Sequence, residues 1–378
     1  MKKLFSYALM ASLLSMPAYA ENETTDIVTN NNSATEETTA SVDAPEPAGF
    51  LTSAINESLA QAADDVEYGR KVTQYASAPK FGGYAIGKYT YSDKDGAKGG
   101  TGFSQRLIRL YVDGTILNDF KYRIQIQTNN NTFHMKDVFI EWQKYEFAKI
   151  KVGQFKRAFG FENPMNPWDI STGDYSYFTK KMTGDYRGDS WSGGGRDQGI
   201  QVQGDFLKVG EDNHNLIHYQ LGMWNGEGIN TNDADGERDY IGTIQFQPVK
   251  GFIIGAFGWT GENAGEKRNR YAFGVKYDNN DGWCVRGEWG HSHYTTGSDD
   301  AWYLLVGKTL NDWFKLSAQY QTFRYNKSWQ NAQCTYSLIP EFQLHKNLKF
   351  QIQYNFNNFR ASADRHHNEI WAETYFRF

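Results

Sequence analysis

From Lys80 to the C-terminus, apolar and polar residues alternate along the chain. In LKFQIQYNFN, residues 348–357, apolar or aromatic side chains occupy the even-numbered positions and Lys, Gln or Asn the odd-numbered ones. The same period of two recurs in FKYRIQIQ (120–127) and FKLSAQYQ (314–321). Because successive side chains of a β-strand point to opposite faces, these segments predict strands with one apolar and one polar face.

The alternating segments number about sixteen, and a typical one has about ten residues. That length suits a tilted strand that crosses a bilayer. Short connections alternate with generally longer polar ones, as in outer-membrane barrels with tight periplasmic turns and external loops. The sequence therefore predicts an all-β fold, a transmembrane antiparallel β-barrel over residues 80–378. The predicted strands are 80–91, 102–116, 120–128, 134–143, 147–155, 196–207, 215–224, 237–247, 251–260, 268–278, 282–293, 300–310, 313–325, 331–344, 348–359 and 368–378.

Two segments precede the predicted barrel. Residues 1–20 combine two lysines, an apolar run and the small-residue pattern AYA, which are the features of a secretory signal peptide. Residues 21–79 carry eleven acidic residues against two basic ones. They predict a disordered acidic linker, within which the apolar spacing from Phe50 to Tyr68 indicates a short periplasmic helix.

Composition is consistent with an outer-membrane barrel. Aromatic residues form 16% of the chain, although its mean hydropathy is −0.68. A barrel with a polar lumen, a thin apolar outer band and aromatic girdles has both properties. The mature chain contains no run of about 20 apolar residues, the length that a membrane-spanning helix requires.

The chain ends on an aromatic strand, NEIWAETYFRF, with Phe376 and Phe378 on its apolar face. Such an ending resembles the signal by which bacterial outer-membrane barrels are recognised for assembly. We therefore expect the bacterial outer membrane as the location, and its lipid and the barrel-assembly machinery as partners. No nucleic-acid partner is expected.

The connection between the fifth and sixth strands, Lys156 to Gly195, is the third external loop and has about forty residues. A connection of this length is either functional or disordered, and its eight aromatic residues argue against disorder. Its second half, YFTKKMTGDYRGDSWSGGG, shows no apolar period, which predicts an irregular segment descending toward the lumen. Gly193 to Gly195 are expected to turn sharply into the sixth strand, because glycine accepts positive φ.

The segment KVGQFKRAFGFENP, Lys151 to Pro164, opens this loop. It resembles the Gly-Gln-Phe-Lys-x-x-Phe-Gly-x-Glu segment of the phosphate- and pyrophosphate-selective porins, the porin O and P family. Ala158 departs from the proline found there in many members. The resemblance implies a sixteen-stranded, homotrimeric outer-membrane channel. The loop's position and length also match the third loop of general porins, which folds into the barrel and narrows the pore.

The candidate site is a set of cationic side chains in the predicted pore. Inward cations exceed inward acids by ten to seven on the strands and by six to five in the loop. A cluster of Lys or Arg on a low-dielectric pore wall selects anions. We expect passive diffusion of small polar solutes, and this small excess leaves a preference for anions or phosphate open. The predicted constriction residues are Lys156, Arg157, Lys180, Lys181, Arg187, Arg196, Lys121, Arg123, Lys149, Lys151 and Arg109.

Two other function classes fit parts of the sequence. A soluble exported β-sandwich would show the same alternation and would bind carbohydrate through Trp168, Trp191 or Trp224. A hydrolase needs a converging Ser, His and acid, and the chain contains no Gly-x-Ser-x-Gly. We therefore predict no enzyme and no cofactor. A metal site is not predicted either, because His291 and His293 lack a third ligand in the pattern.

The two cysteines are not expected to form a disulfide. Alternation places Cys284 on an inward face and Cys334 on an outward face, three strands away. At a strand spacing of about 4.8 Å the separation is roughly 14 Å. Disulfides require Cα atoms within about 7 Å of each other.

Deleting Phe378 distinguishes the barrel from the β-sandwich. A barrel that needs its terminal aromatic residue for assembly should be lost from the outer membrane, whereas a soluble domain should be unaffected. The measurement is the amount of folded protein in isolated outer membranes, beside a Phe378→Tyr variant that retains the aromatic ring. A deletion variant that assembles normally would contradict the barrel.

Overall fold

The computed structural model describes residues 76–94, 101–129, 132–188, 191, 193–278 and 282–378. The predicted signal peptide and nearly all of the predicted linker lie outside these residues. The last residues before the first strand are hydrogen-bonded. Ala76 pairs with Ile116, and Ser77 N donates to Thr115 O at 2.8 Å.

Sixteen antiparallel strands form one closed barrel, as the sequence predicts. Each strand pairs with its neighbours in the chain, and β1 also pairs with β16, so that no edge strand remains. This closure excludes the β-sandwich alternative. The strands are β1 (Lys80–Ser92), β2 (Gly102–Ile116), β3 (Phe120–Asn129), β4 (Thr132–Tyr145), β5 (Ala148–Lys156), β6 (Arg196–Val209), β7 (His214–Trp224), β8 (Asp239–Val249), β9 (Phe252–Asn263), β10 (Glu266–Asp278), β11 (Trp283–Tyr294), β12 (Gly297–Asn311), β13 (Phe314–Arg324), β14 (Ala332–His345), β15 (Leu348–Phe359) and β16 (His366–Arg377).

The barrel has an apolar outside and a polar inside. Outward side chains such as Leu221 and Phe273 are 59% and 57% exposed, whereas inward side chains of β15 such as Gln351 and Gln353 are buried. The closed sheet pairs the backbone groups, which leaves apolar side chains to face lipid. We name the barrel end that carries the 157–195 connection the loop end. The opposite end, where β1 begins and β16 finishes, is the turn end.

Two β-bulges change which side chains face inward. The register between β1 and β2 shifts after Ile86, which leaves Arg106 as an extra residue on β2. A second shift between β3 and β4 leaves both Lys136 and Asp137 buried. Because a bulge adds one residue to one strand and redirects its side chains, strict alternation missed Arg106 and Lys136.

The described part of the 157–195 connection lies inside the barrel, because it contacts strands on all sides. Asn166 Oδ1 accepts a hydrogen bond from Tyr84 Oη of β1 at 2.6 Å. Ala158 O accepts one from Thr243 of β8 at 2.5 Å, and Gly173 N donates to a glutamine of β15. The loop also shares a buried apolar cluster with the wall, which includes Phe159, Phe161, Phe178, Met182, Trp224, Phe257, Trp259, Tyr303 and Leu305.

The first half of this loop reaches deepest. Trp168 O accepts a hydrogen bond from Lys349 Nζ at 2.7 Å, and the Trp168 ring lies 5.9 Å from that of Tyr375. Both partners belong to the turn-end parts of β15 and β16. The second half returns to the loop end, where Arg187 pairs with Asp299 at the start of β12. The expectation that the second half descends is therefore wrong.

Residues Tyr177–Met182 form a short helix, α1, where the sequence predicted an irregular segment. Ser176 caps it, since its Oγ accepts a hydrogen bond from Thr179 N at 3.2 Å. Fewer than two helical turns cannot show a recognisable apolar period, which explains the error. No helix in the described part of the chain is long and apolar enough to cross a membrane.

The connections match two expectations from the sequence. Gly194 and Gly195 have φ of +67° and +66°, as expected for a sharp turn into β6. The loop-end connections after β9 and β11 have only two residues each, 264–265 and 295–296. Most loop-end connections are nevertheless longer than the longest turns, which have four residues, and the 157–195 connection is the longest.

Both cysteines are free and buried. Cys284 shares the inward face of β11 with Arg286, as predicted. Cys334 has the outward parity of Tyr336, yet it is only 3% exposed. Its Sγ lies 3.3 Å from the Thr322 hydroxyl of β13, so outward parity alone does not imply exposure.

Gly153 tests how closely β4 and β5 approach. It has φ of +129°, and an added Cβ would lie 2.2 Å from Val138 O. Gly153→Ala should therefore destabilise the barrel by about 1–3 kcal/mol. Gly87→Ala is the matched control, because a Cβ at Gly87 would meet nothing within 4 Å. The stability of both variants is measured as the temperature at which the folded barrel converts to the unfolded form, which runs as a separate band in gel electrophoresis. Equal losses of stability in the two variants would contradict the close approach of β4 to Gly153.

Candidate pore constriction

Two buried glutamates fix the middle of the loop to the wall. Glu288 of β11 accepts hydrogen bonds from Phe161 N at 2.5 Å and Glu162 N at 3.1 Å. Glu162 accepts from Ser176 N and Oγ at 2.8 and 2.5 Å and pairs with Arg286 at 3.1 Å. Charge-assisted bonds of this kind are among the stronger ones in proteins. These bonds hold the loop to the wall at two places, at Phe161 and Glu162 and at the start of α1.

Arg157 joins distant parts of the loop and β6. Its side chain is fully buried, with Nη1 2.6 Å from Asp185 and Nη2 2.8 Å from Asp197. Burial disfavours the charged guanidinium, but the two carboxylates raise the pKa of Arg157 above its usual value. Its backbone N–H also donates to Gly195 O at 2.9 Å. Arg157 therefore holds the loop together and does not line the basic cavity described next.

A basic cavity of about 220 Å³ lies between the first half of the loop and the inner wall of β2–β7. The loop contributes Pro164, Met165 and Asn166, and glutamines of β3, β6 and β7 line the wall. Among the described residues that line it, Asp137 is the only acid. Five of the predicted site residues line the cavity, namely Arg109, Arg123, Lys151, Lys156 and Arg196.

Within the described residues, Arg109 and Lys156 have no carboxylate partner. Arg109 Nη1 donates to Tyr84 Oη at 2.8 Å, and its Nε donates to Gln127 Oε1 at 2.8 Å. Lys156 Nζ donates to loop carbonyls, including Asn163 O at 2.5 Å. These neutral partners orient the two side chains and bring no negative charge to them.

The other predicted cations on this side of the barrel are opposite acids. Lys121 is exposed and stands across from Glu141 in the sheet register. The ion pairs are Arg123 with Asp113 at 2.7 Å, Arg196 with Asp137 at 2.8 Å, Lys149 with Asp205 at 3.1 Å and Lys151 with Glu141 at 3.5 Å. Of the predicted cations that line the cavity, Arg109 is therefore the guanidinium without a carboxylate partner among the described residues.

The structure does not bring Lys180, Lys181 and Arg187 to this cavity. Burial disfavours charge on Asp174, yet the adjacent Lys180 and Arg106 lower the pKa of its carboxyl. The Lys181 ammonium lies 5.6 Å from the centre of the Phe323 ring. Arg187 is held at the loop end by Asp299 at 2.7 Å and by Thr296 O at 2.6 Å.

Sequence reasoning missed a second ionic cluster, formed by Lys88, Arg106, Glu373 and Asp174. Lys88 and Arg106 each lie 3.6 Å from Glu373, and Arg106 also lies 3.6 Å from Asp174. The alternation of β1 could have identified Lys88, which shares the face of the buried Tyr84 and Ile86. No sequence pattern predicts the β-bulge that turns Arg106 inward.

Comparison with known proteins identifies the type of barrel. A family model described as phosphate-selective porin O and P matches residues 82–251, which include the whole loop and the basic cavity's cations. The predicted resemblance is confirmed over these residues. The protein is an outer-membrane porin. No curated protein matches the porin in sequence.

Solved barrels share the porin's fold at low sequence identity. The anion-selective porin from Comamonas acidovorans is 13% identical, with a TM-score of 0.58 over 80% of this chain and 100% of that chain. Salmonella typhi OmpF is 12% identical, with a TM-score of 0.60 over 79% and 97%. The Acinetobacter baumannii channel DcaP is 11% identical, with a TM-score of 0.56 over 81% and 98%.

Replacing Arg157 by Gln tests whether this residue holds the loop to β6. The change leaves Asp197 buried without its cation, so we expect a loss of about 3–5 kcal/mol in the free energy of unfolding. The control is Lys208→Gln, whose partner Glu146 is 49% exposed and whose loss should cost about 0–1 kcal/mol. Guanidinium-induced unfolding of the detergent-solubilised porin measures both. Similar losses would contradict the role of Arg157.

Proposed function

We propose that small polar solutes diffuse passively through this porin, and that the basic cavity, as the narrowest part of the pore, favours small anions such as phosphate. Arg109 carries this proposal. It lines the cavity, it is bonded only to neutral groups within the described residues, and a guanidinium stays protonated in proteins. An anion entering the cavity would therefore meet a charge that no acid has already neutralised.

The surroundings support anion preference. Pore walls of low dielectric strengthen a local charge, and rings of Lys or Arg favour anions. At roughly 30 Å³ per water molecule, the cavity of about 220 Å³ has room for a partly hydrated small anion. The glutamines around it can replace part of the hydration shell without adding charge.

Other properties of the porin follow from the same proposal. We infer a homotrimer, since one solved barrel of this fold is described as the trimer form of Vibrio cholerae OmpT. Outer-membrane lipid and the barrel-assembly machinery are the expected partners. We also infer a channel without catalytic activity. Residues 1–20 as a signal peptide and 21–79 as an acidic linker remain predictions.

Replacing Arg109 by Gln tests the proposal. Removing one uncompensated charge should lower the permeability of anions relative to cations at least twofold. It should also raise the phosphate concentration that half-blocks chloride current about tenfold, since a charge-assisted hydrogen bond contributes about 1.5 kcal/mol or more. The measurements are reversal potential and phosphate block in planar bilayers.

Arg238→Gln is the control for the Arg109 variant. Arg238 lies in the loop-end connection after β7 and pairs with Asp233 at 2.7 Å, away from the basic cavity. The Arg238→Gln substitution should leave the anion-to-cation permeability ratio and the phosphate block unchanged. An Arg109→Gln channel that behaves like this control would overturn the assignment of the constriction.

A further inference from the structure

Arg270 of β10 is a buried cation outside the basic cavity. Its side chain is only 2% exposed. The guanidinium lies 4.1 Å from the centre of the Trp259 ring and 5.5 Å from that of Tyr294. Its Nη1 donates to Met182 O at 2.9 Å, the carbonyl of the last residue of α1. Arg270 thus joins the inner wall near the loop end to the second half of the loop.

One complete edge of this guanidinium has no acceptor among the described residues. Within the described residues, neither Nε nor Nη2 of Arg270 has an acceptor, and the nearby buried Trp259 Nε1 also has none. Nε and Nη2 form one edge of the planar guanidinium, where their N–H groups point in parallel. That edge binds carboxylates and phosphates through two bonds at once.

The carboxylates in this region are held by other arginines. Asp239 accepts from Arg268 Nε at 3.2 Å and Nη2 at 3.0 Å. Asp185 and Asp197 pair with Arg157. Arg270 is therefore the one arginine without a carboxylate contact in this cluster of three described arginines and three aspartates, because Arg157 contacts two of the aspartates. Buried N–H groups of an ion without an acceptor are costly, so buried ions normally have direct partners.

We propose that the Nε–Nη2 edge of Arg270 binds a small inorganic anion, which completes the packing of the loop against β9 and β10. An anion with two acceptor atoms, such as phosphate, matches the two donors. The site is separate from the proposed constriction, because neither Arg270 nor Trp259 lines the basic cavity. Bound against the arginine that holds α1, the anion stabilises the loop in place and does not itself pass through the pore.

Phosphate-dependent stability tests this site in the intact porin. Sodium phosphate is titrated into detergent-solubilised protein, with ionic strength held constant by the bulky sulfonate buffer HEPES. A ligand bound only by the folded state raises the melting temperature. We expect a rise of about 2–4 °C for each kcal/mol of binding free energy, in the wild type and in Arg109→Gln alike. Survival in Arg109→Gln separates this site from the constriction.

Arg270→Met should abolish the phosphate-dependent rise. The variant should still fold, because replacing a poorly paired buried ion by an apolar side chain is often tolerated. Arg270→Lys keeps the charge without the two-donor edge and should need at least threefold more phosphate for a half-maximal rise. Arg268→Met is the control, which loses the pair with Asp239 and should be less stable but keep the full phosphate-dependent rise.

Three results would overturn the Arg270 site. The first is an equal phosphate-dependent rise in melting temperature in Arg270→Met and the wild type. The second, which is decisive if Arg270→Met does not fold, is an Arg270→Lys response identical to that of the wild type. The third is loss of the rise in Arg109→Gln, which would assign the effect to the constriction.

Discussion

Charged and polar groups that a loop buries inside a barrel must pair with one another, and the 157–195 connection brings such partners together here. Lipid outside requires an apolar outer face, so alternation makes the inner face polar. Inward carboxylates and guanidinium groups would be costly if the loop covered them without pairing. Glu288, Glu162 and Arg157 meet this requirement by binding loop and wall to each other. The path of the loop therefore determines where solute can pass.

The loop divides the inner wall into two regions of different character. Against β7–β12 it packs through a buried cluster of aromatic and aliphatic residues. Against β2–β7 it leaves the basic cavity, whose roof is Pro164 to Asn166. The same descent that buries Trp168 near the turn end therefore also forms one wall of the proposed passage. Packing on one side and permeation on the other are consequences of a single chain path.

Much of the fold could be predicted from sequence because the period of two is a direct result of strand geometry. Alternation gave the number and order of strands and the inward direction of Arg109 and Lys151. It failed at Arg106 and Lys136, since a bulge depends on how two strands pair and leaves no periodic signal. It also failed for α1, which is too short to show a helical period.

The site was predicted less completely than the fold, for an energetic reason. Sequence identifies cations but not their partners, and pairing decides whether a cation acts on a solute. Arg157 and Arg187 were expected in the pore, yet each is committed to aspartates. Arg109, by contrast, has tyrosine and glutamine as hydrogen-bond partners. These neighbours come from other strands, so no local motif could reveal them.

We propose that uncancelled positive charge controls the narrowest part of this pore. The reversal potential of the unmodified porin, in a planar bilayer that separates unequal potassium chloride solutions, tests this directly. We expect a potential of the sign that anion permeation produces, with a smaller magnitude at high salt because screening shortens the reach of Arg109. A potential of the cation sign, or a bilayer without conductance, would contradict it.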